Sequence, residues 1–371
     1  MTIRIGGAAG DGIESSGAGV CKALARGGLH VFGLPDYYSR IRGGHNFYSV
    51  RISEDPLTCH EEPVHLLLAL TAETIPRHRE QIVAGGAIVY DASLDLDAEG
   101  LDATDLQSDD VAFIGLPMSD IAEEAAGTTL ARNTVALGFA AGMTGFDVEP
   151  LRSVIRDNFA HKGSKVVAGN LAAADAGYAR GREHAAGFSF QLRPLPDAPS
   201  RLALTGTDAL CMGALAAGCR FVAGYPMTPG SLALHWMAAH AREYGVVVKH
   251  SEDEIAAINM AIGAAHMGVR AMVPTSGGGF SLMVEGLGLA AMTETPVVIY
   301  NAQRPGPATG LPTRQAQADL LFMLRASQGE FSRFLLAPGT HEQLFVTGWR
   351  AFNLAERFQV PVLVLGDHYL A

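Results

Sequence analysis

Tyr225-Pro226-Met227-Thr228-Pro229-Gly230-Ser231, Ser251-Glu252-Asp253-Glu254-Ile255-Ala256-Ala257-Ile258-Asn259, Thr275-Ser276-Gly277-Gly278-Gly279-Phe280-Ser281 and Gly306-Pro307-Ala308-Thr309-Gly310-Leu311-Pro312-Thr313-Arg314 are the four pieces that decide the fold. Each follows a short apolar run: Phe221 to Ala223, Val246 to Lys249, Ala271 to Val273 and Val297 to Tyr300. Helical stretches alternate with these runs, at about Ser231 to Tyr244, Glu254 to Met267 and Gly279 to Thr293. Strand and helix in this alternation predict a doubly wound parallel sheet. Such sheets gather ligands beyond the carboxyl ends of their strands, which is where the quoted pieces fall.

Working outward, the same domain opens with Ala203 to Gly206 and a small-residue helix from Ala209 to Ala217. It closes with a helix from about Thr340 to Phe358 and an apolar strand from Val360 to Leu365. Ahead of it, Phe188 to Pro199 carries Pro194, Pro196 and Pro199, the composition of a connection between domains. The expected layout is therefore an α/β domain over 1–185, a linker over 186–200 and the parallel-sheet domain over 201–371.

In the first domain Thr2 to Ile5 reads as a strand. It breaks into Gly6-Gly7-Ala8-Ala9-Gly10-Asp11-Gly12 before a helix from about Ile13 to Arg26. Strand, glycine loop and helix N-terminus make an anion cradle, although the spacing is not that of a dinucleotide fingerprint. From Pro35 to Gly44 the chain is dense in Arg, aromatic and Gly residues. It reads either as a structural loop or as a contact for a partner subunit or anionic cofactor through Arg40 and Arg42. Val64 to Ala69 and Ala87 to Tyr90 are apolar enough for buried parallel strands, and Ala131 to Met143, Glu149 to Phe159 and Leu171 to Arg182 read as helices. Asp147 is a candidate cap for the second of these.

Composition narrows the function. At 371 residues, 48 % hydrophobic with 43 glycines, the chain reads as two packed α/β domains. A formal net charge of -11 argues against nucleic-acid and anionic-membrane partners. Cys21, Cys59, Cys211 and Cys219 lack CxxC spacing, so neither zinc nor an iron–sulfur cluster is expected on this chain. No run has the length of a membrane span, and the expectation is a soluble, cytoplasmic protein.

The second domain resembles the pyrimidine-binding domain in the α subunit of 2-oxoacid:ferredoxin oxidoreductases. The resemblance rests on Tyr225 to Ser231, Glu252 to Asn259, Gly279 to Met283 and Gly310 to Thr313. The first domain is similar to the γ domain of the same family, through Gly10-Asp11-Gly12 and Ile41-Arg42-Gly43-Gly44-His45. Together they follow the order of a γ–α fusion.

The resemblance implies thiamine diphosphate held between α and β subunits, with a glutamate at the aminopyrimidine ring. Glu252 is the residue matched to that glutamate, whose carboxylate favours the ring tautomer that accepts the thiazolium proton. Thr228 is matched to a threonine beside the substrate carboxylate or carbonyl. Arg314 and Arg304 are the candidates for a fork on the substrate carboxylate. Tyr225, Pro226, Ser276, Gly277 and Phe280 are the expected cofactor contacts. The resemblance further implies oxidative decarboxylation of a 2-oxoacid to acyl-coenzyme A with reduction of ferredoxin. The Mg2+ and [4Fe-4S] cluster would be carried by a β subunit, and the assembly would be a dimer of heterodimers.

The chain also departs from the family. Met227 and Gly230 stand where the signature has Ile and Ser, and Gly278 stands where Pro is common, so a flexible 277–279 loop is expected. Related fusions continue beyond the strand matched by Val360 to Leu365, and the chain is expected to be a shortened form. Gly10-Asp11-Gly12 with Asn46 imitates a metal-diphosphate motif but lies too near the N-terminus to be read as one. Two other readings stay open: a non-catalytic scaffold or regulatory subunit, and a nucleotide-binding protein that uses the N-terminal glycine loop.

Overall fold

The structure, a computed structural model, describes residues 1–37, 44–97, 100–101, 110–193, 195, 198 and 202–371. The chain divides into two compact units, Met1–Ala203 and Leu204–Ala371.

The second unit holds the expected sheet. Strands β7 (Phe221–Gly224), β8 (Val247–His250), β9 (Ala271–Thr275), β10 (Val298–Gln303), β11 (Phe334–Leu336) and β12 (Val362–Asp367) lie in the order β11-β12-β10-β9-β7-β8. Every pairing among them is parallel. The helices Gly206–Ala216, Ser231–Tyr244 and His341–Phe358 pack on one face, through residues such as Leu210, Met237 and Phe352. Glu254–His266 and Gly277–Met292 pack on the other, through Ile258, Phe280 and Leu287. Local chemistry fixes the helix starts: Thr205 and Asp208 form a capping box, Asp253 accepts from Ala256 N at 2.6 Å, and Thr340 accepts from Gln343 N at 3.2 Å. The winding reverses at β7, with β8 on one side and β9 on the other, which places the crevice of a doubly wound sheet at the carboxyl ends of those strands.

The first unit is mixed. Its strands are β1 (Thr2–Ala8), β2 (His30–Tyr37), β3 (His45–Ser53), β4 (Val64–Ala69), β5 (Ile82–Asp91) and β6 (Val111–Leu116), in the order β2-β3-β1-β4-β5-β6. The β1, β4, β5 and β6 strands run parallel, while β3 is antiparallel to both β1 and β2. Two expectations change here. The first strand does not end at Ile5, because Gly6, Gly7 and Ala8 pair with Phe47, Asn46 and His45. The segment from Pro35 does not begin as a loop, because Pro35 lies within β2, an edge strand where a missing N–H is tolerated. Arg40 and Arg42 lie outside the described residues. In the expected linker, Phe188 and Leu192 are buried in the first unit's core, and Leu192 N donates to Thr144 O at 2.7 Å.

No helix among the described residues is long and apolar enough to cross a membrane. Cys21, Cys211 and Cys219 are buried free thiols and Cys59 an exposed one.

Candidate functional site

Four strand ends of the second unit converge on one group of buried polar side chains. After β8, Asp253 caps the Glu254–His266 helix and turns Glu254 inward, leaving that residue 3 % exposed. Its position follows from helical periodicity, since Glu254 lies in phase with buried Ala257, Ile258, Ala261, Ile262 and Ala265. The carboxylate faces the start of the Gly277–Met292 helix: a Cβ at Gly279 would lie 2.8 Å from Glu254 Oε1 and 2.2 Å from Thr275 Oγ1. Only glycine fits there.

After β10, Arg304 is 6 % exposed. It donates from Nη1 to Thr228 O at 2.8 Å and from Nη2 to Thr309 O at 2.9 Å, tying the loop after β7 to the loop after β10. Burial lowers the pKa of its guanidinium, and the Glu254 carboxylate acts in the opposite direction. Asn301, fully buried on β10, donates to Asp319 Oδ2 at 3.0 Å, and Gln303 Oε1 accepts from Asp319 N at 2.9 Å.

Glu254 Oε1, Ser276 Oγ, Asn301 Oδ1 and Arg304 Nε are buried atoms with no hydrogen-bond partner. Each such atom costs roughly 1–3 kcal/mol. Four on neighbouring strand ends are expensive as packing but well suited to a polar ligand, with acceptors from Glu254 and Asn301, a donor from Arg304 and a hydroxyl able to do either. Of these, the Glu254 and Asn301 acceptors and the Ser276 hydroxyl fit an aminopyrimidine ring, which presents both N–H groups and ring nitrogens. Among the described residues no group of three or more His, Cys, Asp or Glu is placed to hold a metal ion.

The expected site residues separate on inspection. Thr228, Arg304, Ser276 and Gly277 stand at these strand ends, and Tyr225 is exposed with its ring centroid 6.4 Å from that of His250. Pro226 is half-buried on the same loop. Glu252 is exposed, ahead of the helix rather than in it, and its side chain is not among the buried groups. Arg304 does not offer a whole fork to a ligand, because both terminal nitrogens already serve backbone carbonyls. Arg314 is half-buried in a turn where its N–H donates to Leu311 O at 3.1 Å. Phe280 is fully buried, edge-on to Phe322 at 5.2 Å, and is a core residue. The glycine run is not a loose loop either, since Gly277, Gly278 and Gly279 form the first turn of the helix. Gly230 is likewise required, since a Cβ there would lie 2.1 Å from Thr275 O.

Glu254, Asn301 and Asp319 were not singled out as site residues from sequence, and Met227 was noted only as a departure from the signature. For Glu254 the signal was present in its phase with the apolar stripe. For Asn301 it was masked by the expectation that β10 ended at Tyr300.

Residues 212–371 match the family model described as pyruvate flavodoxin/ferredoxin oxidoreductase, thiamine diphosphate-binding, and residues 2–180 match that of pyruvate ferredoxin/flavodoxin oxidoreductase. A 2-oxoacid:ferredoxin oxidoreductase subunit alpha from Saccharolobus solfataricus is 33 % identical, over 100 % of this chain and 65 % of that one. The 2-oxoglutarate synthase subunit KorA of Methanothermobacter thermautotrophicus is 48 % identical over 164 residues, 44 % of each chain. The solved 2-oxoglutarate:ferredoxin oxidoreductase from Magnetococcus marinus, with 2-oxoglutarate, coenzyme A and succinyl-CoA bound, superimposes with a TM-score of 0.90. Its identity is 33 %, over 100 % of this chain and 64 % of that one. The chain thus spans 64–65 % of the length of the two relatives it matches throughout. Both units thus match family models of the pyruvate ferredoxin/flavodoxin oxidoreductases, and the chain is similar over its whole length to relatives of that kind.

Proposed function

We propose that this chain supplies the aminopyrimidine-binding wall and the activating carboxylate of a 2-oxoacid:ferredoxin oxidoreductase. The observation that carries this reading is the buried Glu254 carboxylate, whose Oε1 has no hydrogen-bond partner, at the crevice of the second sheet. Thiamine diphosphate, when bound, supplies the nucleophilic carbon and the electron sink that decarboxylation of a 2-oxoacid needs. Glu254 accepts a ring N–H and biases the ring's protonation, the role assigned from sequence to Glu252. Asn301 Oδ1 and Ser276 Oγ complete the ring's polar contacts. Thr228 and Arg304 Nε face the substrate's carboxylate end, and Arg314 is retained as its second cation.

The whole enzyme, on this reading, converts a 2-oxoacid and coenzyme A to acyl-coenzyme A and CO2, and reduces ferredoxin. The Magnetococcus marinus and KorA names support 2-oxoglutarate as the first substrate to test. A β-type partner brings the diphosphate-bound Mg2+ and the [4Fe-4S] cluster, in a cytoplasmic dimer of heterodimers.

The test is 2-oxoglutarate- and coenzyme-A-dependent viologen reduction by the chain assembled with its β-type partner. Glu254→Gln is expected to lose at least about a hundredfold in kcat, the scale of a lost acid–base group. Glu252→Gln should stay within about threefold. The reverse pattern returns the role to Glu252. An assembled, cofactor-loaded complex that is inactive even with the native chain supports the scaffold reading instead.

A further inference from the structure

The Gly277–Met292 helix has a good capping residue that does not cap it. Ser276 occupies the N-cap position with extended backbone, φ -133° and ψ 172°, and serine is among the residues favoured there. Its hydroxyl makes no cap bond and is fully buried without a partner. The cap comes from another loop: Gly279 N, the third helical N–H, donates to Met227 Sδ at 3.1 Å. A thioether is a weaker acceptor than a hydroxyl. A local, stronger cap is passed over for a distant, weaker one.

We propose that Met227 is a positioning residue whose sulfur caps this helix in place of Ser276, keeping the Ser276 hydroxyl for the molecule the site binds. Met227 stands beside Thr228, whose carbonyl is held by Arg304, so the one sulfur also fixes the spacing between the Thr228 loop and the helix N-terminus. The neighbouring departure borders the same seat. A Cβ at Gly278 would lie in ordinary contact with Met227 Sδ, at 3.9 Å, and more tightly against Ala308 O, at 3.1 Å, so a side chain at 278 is limited by that carbonyl. An isoleucine at 227 would have no acceptor to offer. The positioning role rests on the functional reading above, whereas the capping does not.

The test is a double-mutant cycle in the full chain, with Met227→Leu, Ser276→Ala and both together, read by thermal unfolding and by hydrogen exchange at the Gly279 amide. Ser276→Ala alone is expected to leave Tm unchanged or raise it, because it removes an unpaired buried hydroxyl. In Met227→Leu the serine hydroxyl turns to the amide as an ordinary cap, so Gly279 stays protected. Only the double variant loses both caps, with Gly279 exchange at least about tenfold faster and Tm a further 2–4 °C lower, roughly the loss of one cap. An equal Tm loss from Ser276→Ala in both backgrounds overturns the proposal, as does unchanged Gly279 exchange in the double variant.

In the assembled enzyme each single variant should lower kcat/KM by about tenfold and the double no further, since both remove the same free hydroxyl. Additive losses there would overturn the positioning role. Inactivity of the native assembly would count against the functional reading alone, because the stability cycle needs no activity.

Discussion

Each unit places a glycine-bearing segment between a central strand and a helix N-terminus, yet the two segments treat their polar groups in opposite ways. In the first unit the 9–12 loop is closed on itself. Asp11 accepts from Ala8 N at 3.1 Å, its carboxylate lies 3.4 Å from Arg132 Nη2, and Asn133 donates to Asp11 O at 2.6 Å. Ala9 N donates to Gly44 O at 2.8 Å. In the second unit the corresponding strand ends leave Glu254, Ser276, Asn301 and Arg304 each with a buried polar atom unpaired. Glycines and helix dipoles are common to both, so neither feature identifies a site. The unpaired buried atoms distinguish the second.

The sharpest way to break this comparison is to add one carbon to each segment. Gly230→Ala drives a Cβ to 2.1 Å from Thr275 O, a backbone carbonyl that cannot rotate aside as a side chain could. Overpacking of this kind costs about 1–3 kcal/mol, and the displaced Thr228 loop is expected to abolish thiamine diphosphate binding as well. Gly12→Ala meets only Asn133 Nδ2 and Ser15 Oγ at 3.3 Å, but at φ 74° it carries the left-handed penalty of about 1–2 kcal/mol. Calorimetric Tm and cofactor titration on both variants decide the matter. A Gly12→Ala chain that loses the cofactor while Gly230→Ala keeps it would reverse the assignment of the site.

A smaller effect is expected from acid, and it belongs to the first unit. His45 and His78 are buried with Nε2 atoms 2.9 Å apart, and His78 Nδ1 lies 3.1 Å from Arg4 Nη1. Arginine can only donate, so His78 accepts at Nδ1, carries its proton on Nε2 and donates to His45. Burial lowers His45 to about 4 and His78 to about 3, with the Arg4 guanidinium acting in the same direction. Arg77 acts likewise, while Glu73 and Asp36 favour the charged form of His45 and Gln81 that of His78. Both groups titrate lower in the folded chain than the roughly 6.5 of a free histidine. The folded chain therefore binds fewer protons than the unfolded one between those values. The pair's contribution to stability is complete above about pH 6.5 and is lost as pH falls to about 4 for His45 and about 3 for His78, by up to about 1.4 kcal/mol per pH unit for each histidine. Gln at 78 can accept from Arg4 and donate to His45 without titrating. His78→Gln should accordingly shallow the loss seen in urea unfolding across that window, and an unchanged slope would rule the pair out as its source.

The second unit was the more legible because a parallel sheet with helices on both faces writes itself as apolar runs between helical stretches. Its site was legible by place and less so by residue. Glu252 carried the resemblance, but Glu254 shares the buried phase of Ala257 and Ile258, and phase decides which carboxylate enters the protein. Ser276 and Gly277 were singled out because they follow a strand directly. Met227 was noted only as a departure, since an N–H···S bond from a residue 52 positions away has no local signature. The first unit hid more. Its β2 carries Pro35, which reads as a breaker unless the strand is known to be an edge. The His45–His78 pair joins β3 to the short Thr74–His78 helix across 33 residues with no spacing rule.

The weakest expected effect is the most informative about the first loop. Arg132 and Asp11 are partly exposed at 3.4 Å, a geometry in which an ion pair contributes about 0–1 kcal/mol. Arg132→Ala should thus lower Tm by no more than 2–3 °C, because Ala8 N and Asn133 still hold Asp11 in place. The viologen assay supplies the second readout. If the loop is closed on itself as a structural turn, the KM values for 2-oxoacid and coenzyme A stay within twofold of the native chain. A rise of tenfold in either, with Tm unmoved, would mean that Arg132 leaves Asp11 to meet an anionic ligand. The two glycine segments would then differ in how firmly they are closed, not in whether they bind.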